Sequence, residues 1–248
     1  MRTFRADLHV HTVLSPCAEL EMQPPLIINA AKKLGINLIA ITDHNASANI
    51  ESVQKAALNY DITVLPGMEL QTKEEVHVLC LFDTLNQMNK FQELVDKKLP
   101  KIKNNAEFFG EQLIVDENGD FLRIEERLLI TSANIILNEA FDMVTDLDGL
   151  LIPAHVNRKA NGLLEILGFV PTDIPFLALE ISRHLTPTEA INNFPQIKNY
   201  PIIQNGDVHR LNDFIGTTIF EIIEPSIHEI KLALTNQDGR TFKIENIT

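Results

Sequence analysis

The sequence predicts an α/β chain rolled into a closed or nearly closed barrel, and three observations carry that prediction. Short, nearly continuous apolar runs alternate with segments of helical periodicity about seven times along 248 residues, histidines and acids recur at the ends of those runs, and no internal repeat is present. Short apolar runs without polar alternation are the pattern of strands buried on both faces. Helices interposed between them give the βα units of a parallel sheet, and about seven such units favour a barrel over a doubly wound sheet. The length fits one such domain over residues 1–248 and is ample for a large core.

The first run opens at Phe4, and in it Asp7, His9 and His11 alternate with Leu8 and Val10. A strand therefore projects His9 and His11 from one face and packs Leu8 and Val10 on the other. Residues 12–22 read as a loop with Ser15-Pro16 and Cys17, carrying Glu19 and Glu21. Pro24 and Pro25 suit a helix start, and Leu26, Ile27, Ala30, Ala31 and Leu34 give that helix an apolar face ending at Gly35. Residues 36–41 form the next strand and deliver Thr42-Asp43-His44. A helix over 48–59 feeds a strand over 62–65, which Pro66-Gly67 breaks before Glu69, and a strand over 76–82 carries His77 near its start. A helix over 86–99 stops at Pro100.

From Lys101 to Arg127 the rhythm lapses. Residues 112–115 and 121–124 flank a turn at Asp116-Glu117-Asn118-Gly119-Asp120, so residues 101–127 predict a small hairpin insertion, a lid or packing arm with too few apolar residues for its own core. Ser132 or Asn134 caps a helix reaching Leu147, and a strand over 150–153 delivers Ala154-His155. A helix over 163–167 ends at Gly168, and a strand over 176–181 carries Glu180. A helix begins at Thr186 or Thr188, and a strand over 201–204 leads to Gly206-Asp207-Val208-His209. A strand over 219–223, a helix from Ser226 to Leu234 and an edge strand through Phe242 and Ile244 complete the chain.

Composition narrows the function. With 45% hydrophobic and 22% charged residues the chain is of ordinary soluble character, while 21 basic against 34 acidic side chains leave a net charge of -13. Such a field repels polyanions at long range. A nucleic acid would then have to be held locally by a metal, so duplex nucleic acid is not an expected partner, while a small anionic partner, a small phosphorylated substrate or a short oligonucleotide held at such a metal, is compatible with the charge. No apolar run is long enough to cross a bilayer, and Arg2 and Arg5 lead into Asp7 and the histidines instead of a signal peptide. Cys17 and Cys80 make no disulfide framework, which suits a cytoplasmic location. Neither a dinucleotide fingerprint nor a P-loop occurs, and oligomeric state has no signal in the sequence.

Strand ends collect His9, His11, His44, Glu69, His77, His155, Asp207 and His209, with Glu19 in the first loop as a ninth candidate. Six of the eight histidines fall at such positions, leaving His184 and His228. Side chains distant in sequence converge where barrel strands end. So many imidazoles and carboxylates exceed one tetrahedral site and point to two or three divalent ions, of zinc, manganese or iron. His9, His11, Glu69 and Asp207 are expected to hold the ions that activate water, and the proton for the leaving group is expected from a metal-bound water, a site histidine or, where it reaches inward, His184. Arg158, Arg183 and Arg210 follow strand ends and are candidates to clamp a phosphate. Asp43 is either a partner of a ligand or a turn former, Cys17 a small buried filler, and Phe169 or Phe109 a stacking surface for a base.

The run Asp7-Leu8-His9-Val10-His11-Thr12, with Ser15-Pro16-Cys17, Thr42-Asp43-His44-Asn45, Gly67-Met68-Glu69, His77, Pro153-Ala154-His155 and Gly206-Asp207-Val208-His209, resembles the ordered motif set of the PHP (polymerase and histidinol phosphatase) family. The resemblance implies a distorted (β/α)7 TIM-like barrel, a di- or trinuclear metal centre and metal-dependent hydrolysis of phosphoric esters. It gives ligand roles to His9, His11, His44, Glu69, His77, His155, Asp207 and His209. Glu19 falls where relatives place an Asp or His ligand. Residues 101–127 resemble the extra hairpin of stand-alone phosphoesterases in the family. The expected function is hydrolysis of a phosphomonoester, a small metabolite or nucleotide. The alternatives are a 5'-to-3' exonuclease or phosphodiesterase acting on short oligonucleotides or nucleoside bisphosphates, and a non-enzymatic metal-binding module.

Overall fold

A computed structural model describes residues 1–245 of the chain. In order, the elements are β1 (Arg2–Val10), α1 (Pro24–Lys33), β2 (Leu38–Ile41), α2 (Ile50–Ala57), β3 (Thr63–Gln71), β4 (His77–Leu81), α3 (Leu85–Lys98), α4 (Ala106–Phe109), β5 (Leu113–Val115) and β6 (Phe121–Ile124). There follow α5 (Leu137–Thr145), β7 (Leu150–Pro153), α6 (Leu163–Leu167), β8 (Leu179–Ile181), α7 (Pro187–Asn193), β9 (Ile202–Gln204), β10 (Thr218–Ile222), α8 (Ile227–Leu234) and β11 (Thr241–Ile244).

Seven strands form a curled sheet in the order β11-β10-β1-β2-β3-β4-β7, and β8 pairs in parallel with β9. That pair bridges the opening. The Val156 N–H beyond β7 donates to the Glu180 carbonyl of β8 at 2.8 Å, and the Val208 N–H beyond β9 donates to the His9 carbonyl of β1 at 2.9 Å. Strands β1, β2, β3, β4, β7, β8 and β9 thus complete a seven-stranded ring, and β10 and β11 continue the sheet from the start of β1.

The barrel is mixed where a regular βα rhythm predicts parallel pairing. Strands β1, β2 and β3 are parallel, but β4 runs antiparallel to both β3 and β7. The cause is the short link after Gln71, which cannot hold a crossover helix and so forces a hairpin. Reversal of β4 puts its first residue, His77, at the same barrel mouth as the last residues of β1, β2 and β7.

Two cores flank the strands. The inner one draws on Leu8, Leu38, Leu79, Ile152 and Ile203 and is plugged by Ile227, Ile230 and Leu234 of α8. The outer one packs α1, α2, α3 and α5 against residues such as Ile39, Val64 and Val78. Leu8 belongs to the inner core and Val10 to the outer, which corrects the expectation of one shared face. Between the pairings Asp7 with Ile39 and Val10 with Ile41, β1 spends one residue more than β2. This bulge changes the alternation at the histidines.

Two element boundaries also differ from expectation. Pro66-Gly67 does not break β3: Pro66 pairs with Ile41 and its carbonyl accepts from the Phe82 N–H at 2.8 Å, so the missing amide interrupts nothing. Gly67 is required because an added Cβ would lie 2.9 Å from Leu81 Cδ2 and 3.0 Å from the Ile41 carbonyl oxygen. Helix α5 starts at Leu137, past Ser132 and Asn134, and its first N–H donates to the Glu74 carboxylate at 3.1 Å. The hairpin β5–β6 is antiparallel, with Ile114 and Val115 buried. Asn49 and Ser52 of the α2 region hold β5 through the Leu113 carbonyl and both backbone groups of Val115. No helix among the described residues is long and apolar enough to cross a membrane.

Candidate metal centre

The barrel mouth gathers one or two polar side chains from almost every ring strand. His9 and His11 come from the end of β1, His44 follows β2, Glu69 lies on β3, His77 opens β4, His155 follows β7, and Asp207 and His209 follow β9. Two of these residues sit on left-handed backbone, His155 at φ 29° and Asp207 at φ 49°. Such conformations cost energy in non-glycine residues and are retained where a side chain must be aimed.

Glu69 is the hub. Its Oε1 lies 2.8 Å from His77 Nδ1, 3.0 Å from His155 Nε2 and 3.2 Å from His9 Nε2, and its Oε2 lies 2.9 Å from His44 Nδ1 and 3.4 Å from His11 Nε2. Asp207 Oδ1 closes the other side, 3.4 Å from His9 Nε2 and 3.6 Å from His11 Nε2. His209 Nδ1 is 3.4 Å from the same oxygen.

A ring of buried partners fixes how the imidazoles face. Glu180 accepts from His9 Nδ1 at 3.1 Å, and also from the His155 backbone N–H at 3.2 Å and Asn205 Nδ2 at 3.0 Å. With Nδ1 donating to a carboxylate, His9 turns Nε2 to the interior. Ser15 Oγ donates to Asp43 Oδ1 at 2.7 Å and so accepts from His11 Nδ1 at 2.9 Å, which likewise directs His11 Nε2 inward. Asp43 further holds the Thr12 amide and hydroxyl, each at 2.7 Å. Asp7 ties the mouth together by accepting from the amides of Gly206 and Ile215.

The electrostatics follow from burial and crowding. Burial opposes the charge of Glu69, yet His77, His9 and His44 outweigh it and hold the carboxyl well below its ordinary pKa. Asp207 is likewise held far below the carboxylate range against its burial, first by His9. Burial works against a charge on His9, but Glu180, Glu69 and Asp207 raise its pKa well above an ordinary histidine; His44 is raised against the same penalty, first by Glu69. Burial with His209 depresses His11, and burial lowers His77 to about 4. Burial raises Asp7 to about 6 against its backbone hydrogen bonds.

The residues fit a divalent metal centre. His9 Nε2, His11 Nε2, His44 Nδ1, His155 Nδ1, Glu69 Oε2 and Asp207 Oδ1 are all buried without an aligned hydrogen-bond partner. Orphaned atoms are costly unless a ligand takes them up. They recur in three clusters whose donor atoms lie within 4.8 Å of one another: His9, His11 and Glu69; His44, Glu69 and His77; and His11, His44 and His209. Imidazole with carboxylate is a donor set suited to zinc, manganese and iron.

Eight of the nine expected ligands converge, and Glu19 does not. Its carboxylate is exposed and faces Arg210 Nε at 3.3 Å. Cys17, expected as a buried filler, is exposed, with Sγ 3.1 Å from His209 Nε2. Arg158, Arg183, His184 and Arg210 line one cleft of about 380 Å³, with Asp207 and His209 at its floor. A neighbouring cleft of about 330 Å³ reaches His44, Glu69, His77 and His155. Each arginine has a carboxylate beside it: Asp207 for Arg158, Asp213 for Arg183 at 2.9 Å, and Glu19 for Arg210. Phe169 is exposed, Phe109 half-buried and neither lines these clefts, and His228 is exposed on α8. Glu180 is the buried residue in contact with the cluster that the sequence reading left out of it. Its signal is an acid inside the apolar run Phe176–Leu177–Ala178–Leu179–Glu180–Ile181.

Over 102 residues the chain is 30% identical to an uncharacterized protein of Methanocaldococcus jannaschii, covering 38% of this chain and 60% of that one. Over 82 residues it is 29% identical to the 5'-3' exoribonuclease of Haemophilus influenzae, covering 32% and 29%. The fold superposes on the lesion-specific endonuclease PfuEndoQ of Pyrococcus furiosus with a TM-score of 0.74, at 22% identity over 97% of this chain and 58% of that one. A complex of endonuclease Q with a 27-mer duplex bearing an abasic lesion gives a TM-score of 0.70 at 21% identity and the same coverage. The chain therefore spans less than two thirds of the length of each of these proteins. The model of the PHP domain matches residues 7–184, from the Asp7 that opens the first motif through His155, and the chain belongs to the PHP domain family.

Proposed function

We propose that this chain is a metal-dependent phosphoesterase that hydrolyses a phosphomonoester of a small metabolite or nucleotide. The observation that carries the reading is one of adjacency: a buried cluster of imidazoles and carboxylates with orphaned donor atoms opens into a cleft rimmed by three arginines. Two or three ions of zinc, manganese or iron, held by His9, His11, His44, Glu69, His77, His155, Asp207 and His209, supply Lewis acidity and acidify water at neutral pH. Arg158, Arg183 and Arg210 orient the phosphate, since guanidinium groups match its oxygens in pairs. His184 on the same rim protonates the leaving oxygen. Glu180, Ser15 and Asp43 keep the imidazoles aimed inward. No covalent nucleophile is needed. Residues 101–127 act in this reading as a packing arm on a single barrel domain, read as 1–248 with 246–248 outside the described residues, and the free thiols fit the cytoplasm.

A second reading is nucleic-acid cleavage by the same centre, as an exonuclease or phosphodiesterase. It is favoured by the overlap with the exoribonuclease and by the superposition on endonuclease Q. The exclusion of duplex substrates rests on net charge alone and gains no support from relatives of this fold, one of which is bound to a duplex.

The test is phosphate release and strand cleavage by metal-loaded protein over a panel of histidinol phosphate, nucleoside monophosphates, nucleoside 3',5'-bisphosphates, short 5'-phosphorylated RNAs and a duplex with an abasic site. Turnover of the small monoesters, lowered about a thousandfold in Asp207→Asn, which is several kcal/mol of barrier, supports the first reading. Cleavage confined to oligonucleotides replaces it with the second. Bound metal without turnover on any member removes both and leaves a metal-binding module.

A further inference from the structure

We propose that Cys17 is a metal ligand, its thiolate joining His11, His44 and His209 to form the outermost cation site of the cluster in the role expected for Glu19. The inference rests on the metal-centre reading and adds to it a sulfur donor that the histidine and carboxylate motifs do not contain.

Hydrogen-bond accounting places the donors. His209 Nδ1 lies 3.0 Å from the Asp207 carbonyl, which can only accept, so the ring commits its Nδ1–H there and presents Nε2 to the sulfur, 3.1 Å away. His11 gives its Nδ1–H to Ser15, and its Nε2 is buried without a partner. The His11 ring stacks on His209 with centroids 4.1 Å apart and lies tilted against His44 at 4.6 Å. Their donor atoms fall within 4.8 Å of one another.

The loop that carries the thiol is pinned over these rings. The Ala18 N–H donates to the Ser15 carbonyl and the Glu19 N–H to the His209 carbonyl, each at 2.9 Å. Gly110 of the arm packs against the Pro16 carbonyl so closely that a Cβ has no room. Glu19, two residues further on, points outward to Arg210. Zinc bound to a thiolate at about 2.3 Å and to an imidazole at about 2.0–2.1 Å places sulfur and nitrogen about 3.6 Å apart in a tetrahedron. A small opening of the observed pair accommodates the ion, which takes the place of the proton that sulfur and imidazole share and releases it to solvent. A thiolate with three imidazoles selects zinc or ferrous iron over magnesium.

The experiment loads the whole chain with cobalt(II) and compares it with Cys17→Ser. The expected result is a thiolate-to-cobalt charge-transfer band in the near ultraviolet, absent from the variant, which also binds its last equivalent of cobalt at least tenfold more weakly. In parallel, alkylation of the native protein by iodoacetamide reports Cys17 alone, because Cys80 is buried, and zinc is expected to slow it at least tenfold. Cobalt bound without the band, together with alkylation that zinc does not slow, overturns the assignment of Cys17 and leaves the rest of the centre intact. Failure of the wild-type chain to bind cobalt or zinc overturns the centre and this inference with it. Serine keeps the size of the side chain at an exposed position, so matching circular dichroism of the two proteins verifies that the comparison is between folded molecules.

Discussion

Glu180→Gln separates orientation of a ligand from ligation itself. In the folded chain the Glu180 carboxylate receives three donors from three parts of the barrel: His9 Nδ1, the His155 amide and Asn205 Nδ2. A glutamine has one acceptor oxygen. Turned toward the Oε1 position, that oxygen satisfies His9 and His155 but sets the new NH2 against Asn205; turned the other way, it abandons the His155 amide. The substitution also removes the nearest charge supporting the basicity of His9. Losing a partner of this kind costs roughly 10–100-fold in metal affinity, or about 1.4–2.7 kcal/mol at 1.36 kcal/mol per tenfold. Because both carboxylate oxygens are already spent on donors, the number of ions bound stays the same. Competition against a chromophoric chelator reads both quantities. Wild-type affinity in a folded variant refutes the orienting role, and loss of a whole equivalent makes Glu180 a direct ligand.

Three further outcomes are expected. Metal affinity rises with pH through neutrality, because His9 and His44 hold protons that a cation must displace; with two such groups the slope approaches about 100-fold per pH unit, and calorimetry in buffers of different ionisation enthalpy that finds no proton release contradicts it. Gly67→Ala destabilises the chain by about 1–3 kcal/mol through overpacking against Leu81, Thr42 and the Ile41 carbonyl, read as a lower denaturant midpoint at unchanged slope; an unchanged midpoint means β3 has slack beneath Glu69. Glu229, whose pKa is lowered to about 2 by Arg240 and then by the Ile223 amide, stabilises the fold fully above the unfolded carboxyl value near 4.5 and loses that contribution as pH falls toward 2. The difference in Tm between wild type and Glu229→Gln should therefore close over that interval, and a gap independent of pH rules out the pairing with Arg240 as its source.

Much of the candidate site was legible in the sequence because its candidate ligands sit where apolar runs end, and such ends converge at one mouth of a barrel. His9 and His11 read as a pair from their spacing, and the bulge in β1 altered what lies behind them, sending Leu8 and Val10 to different cores, without separating them. The direction of β4 was not legible. An apolar run has no polarity, and only the short link after Gln71 tells that His77 must open the strand instead of closing it. Pro66-Gly67 misled for a related reason: composition marks a breaker, whereas the strand accommodates both residues through one unneeded amide and one close contact. Glu180, and Cys17 in its proposed role, escaped because what each could do depends on what faces it across the barrel. The first is a lone acid in an apolar run, and the second lies in an irregular loop whose path is set by His209 and the arm.

The acid surplus of the chain and the phosphate binding proposed for it are reconciled locally. The three rim arginines all have carboxylate neighbours, so the rim has little unopposed positive charge of its own. Asp207 is the exception in kind, because its two oxygens serve different masters: Oδ2 pairs with Arg158, while Oδ1 turns inward, unpartnered, toward His9 and His11. A cation held at Oδ1 draws on the same negative charge that retains Arg158 and weakens that pairing by Coulomb's law at short range. Loading the cluster would therefore do two things at once: it would add positive charge beside Asp207 and loosen the Arg158 guanidinium at the rim. In the proposed function, recognition of an anion would then belong to the loaded centre and the arginines acting together, at a range short enough that the -13 charge of the whole chain, screened over about 10 Å, would not decide what binds.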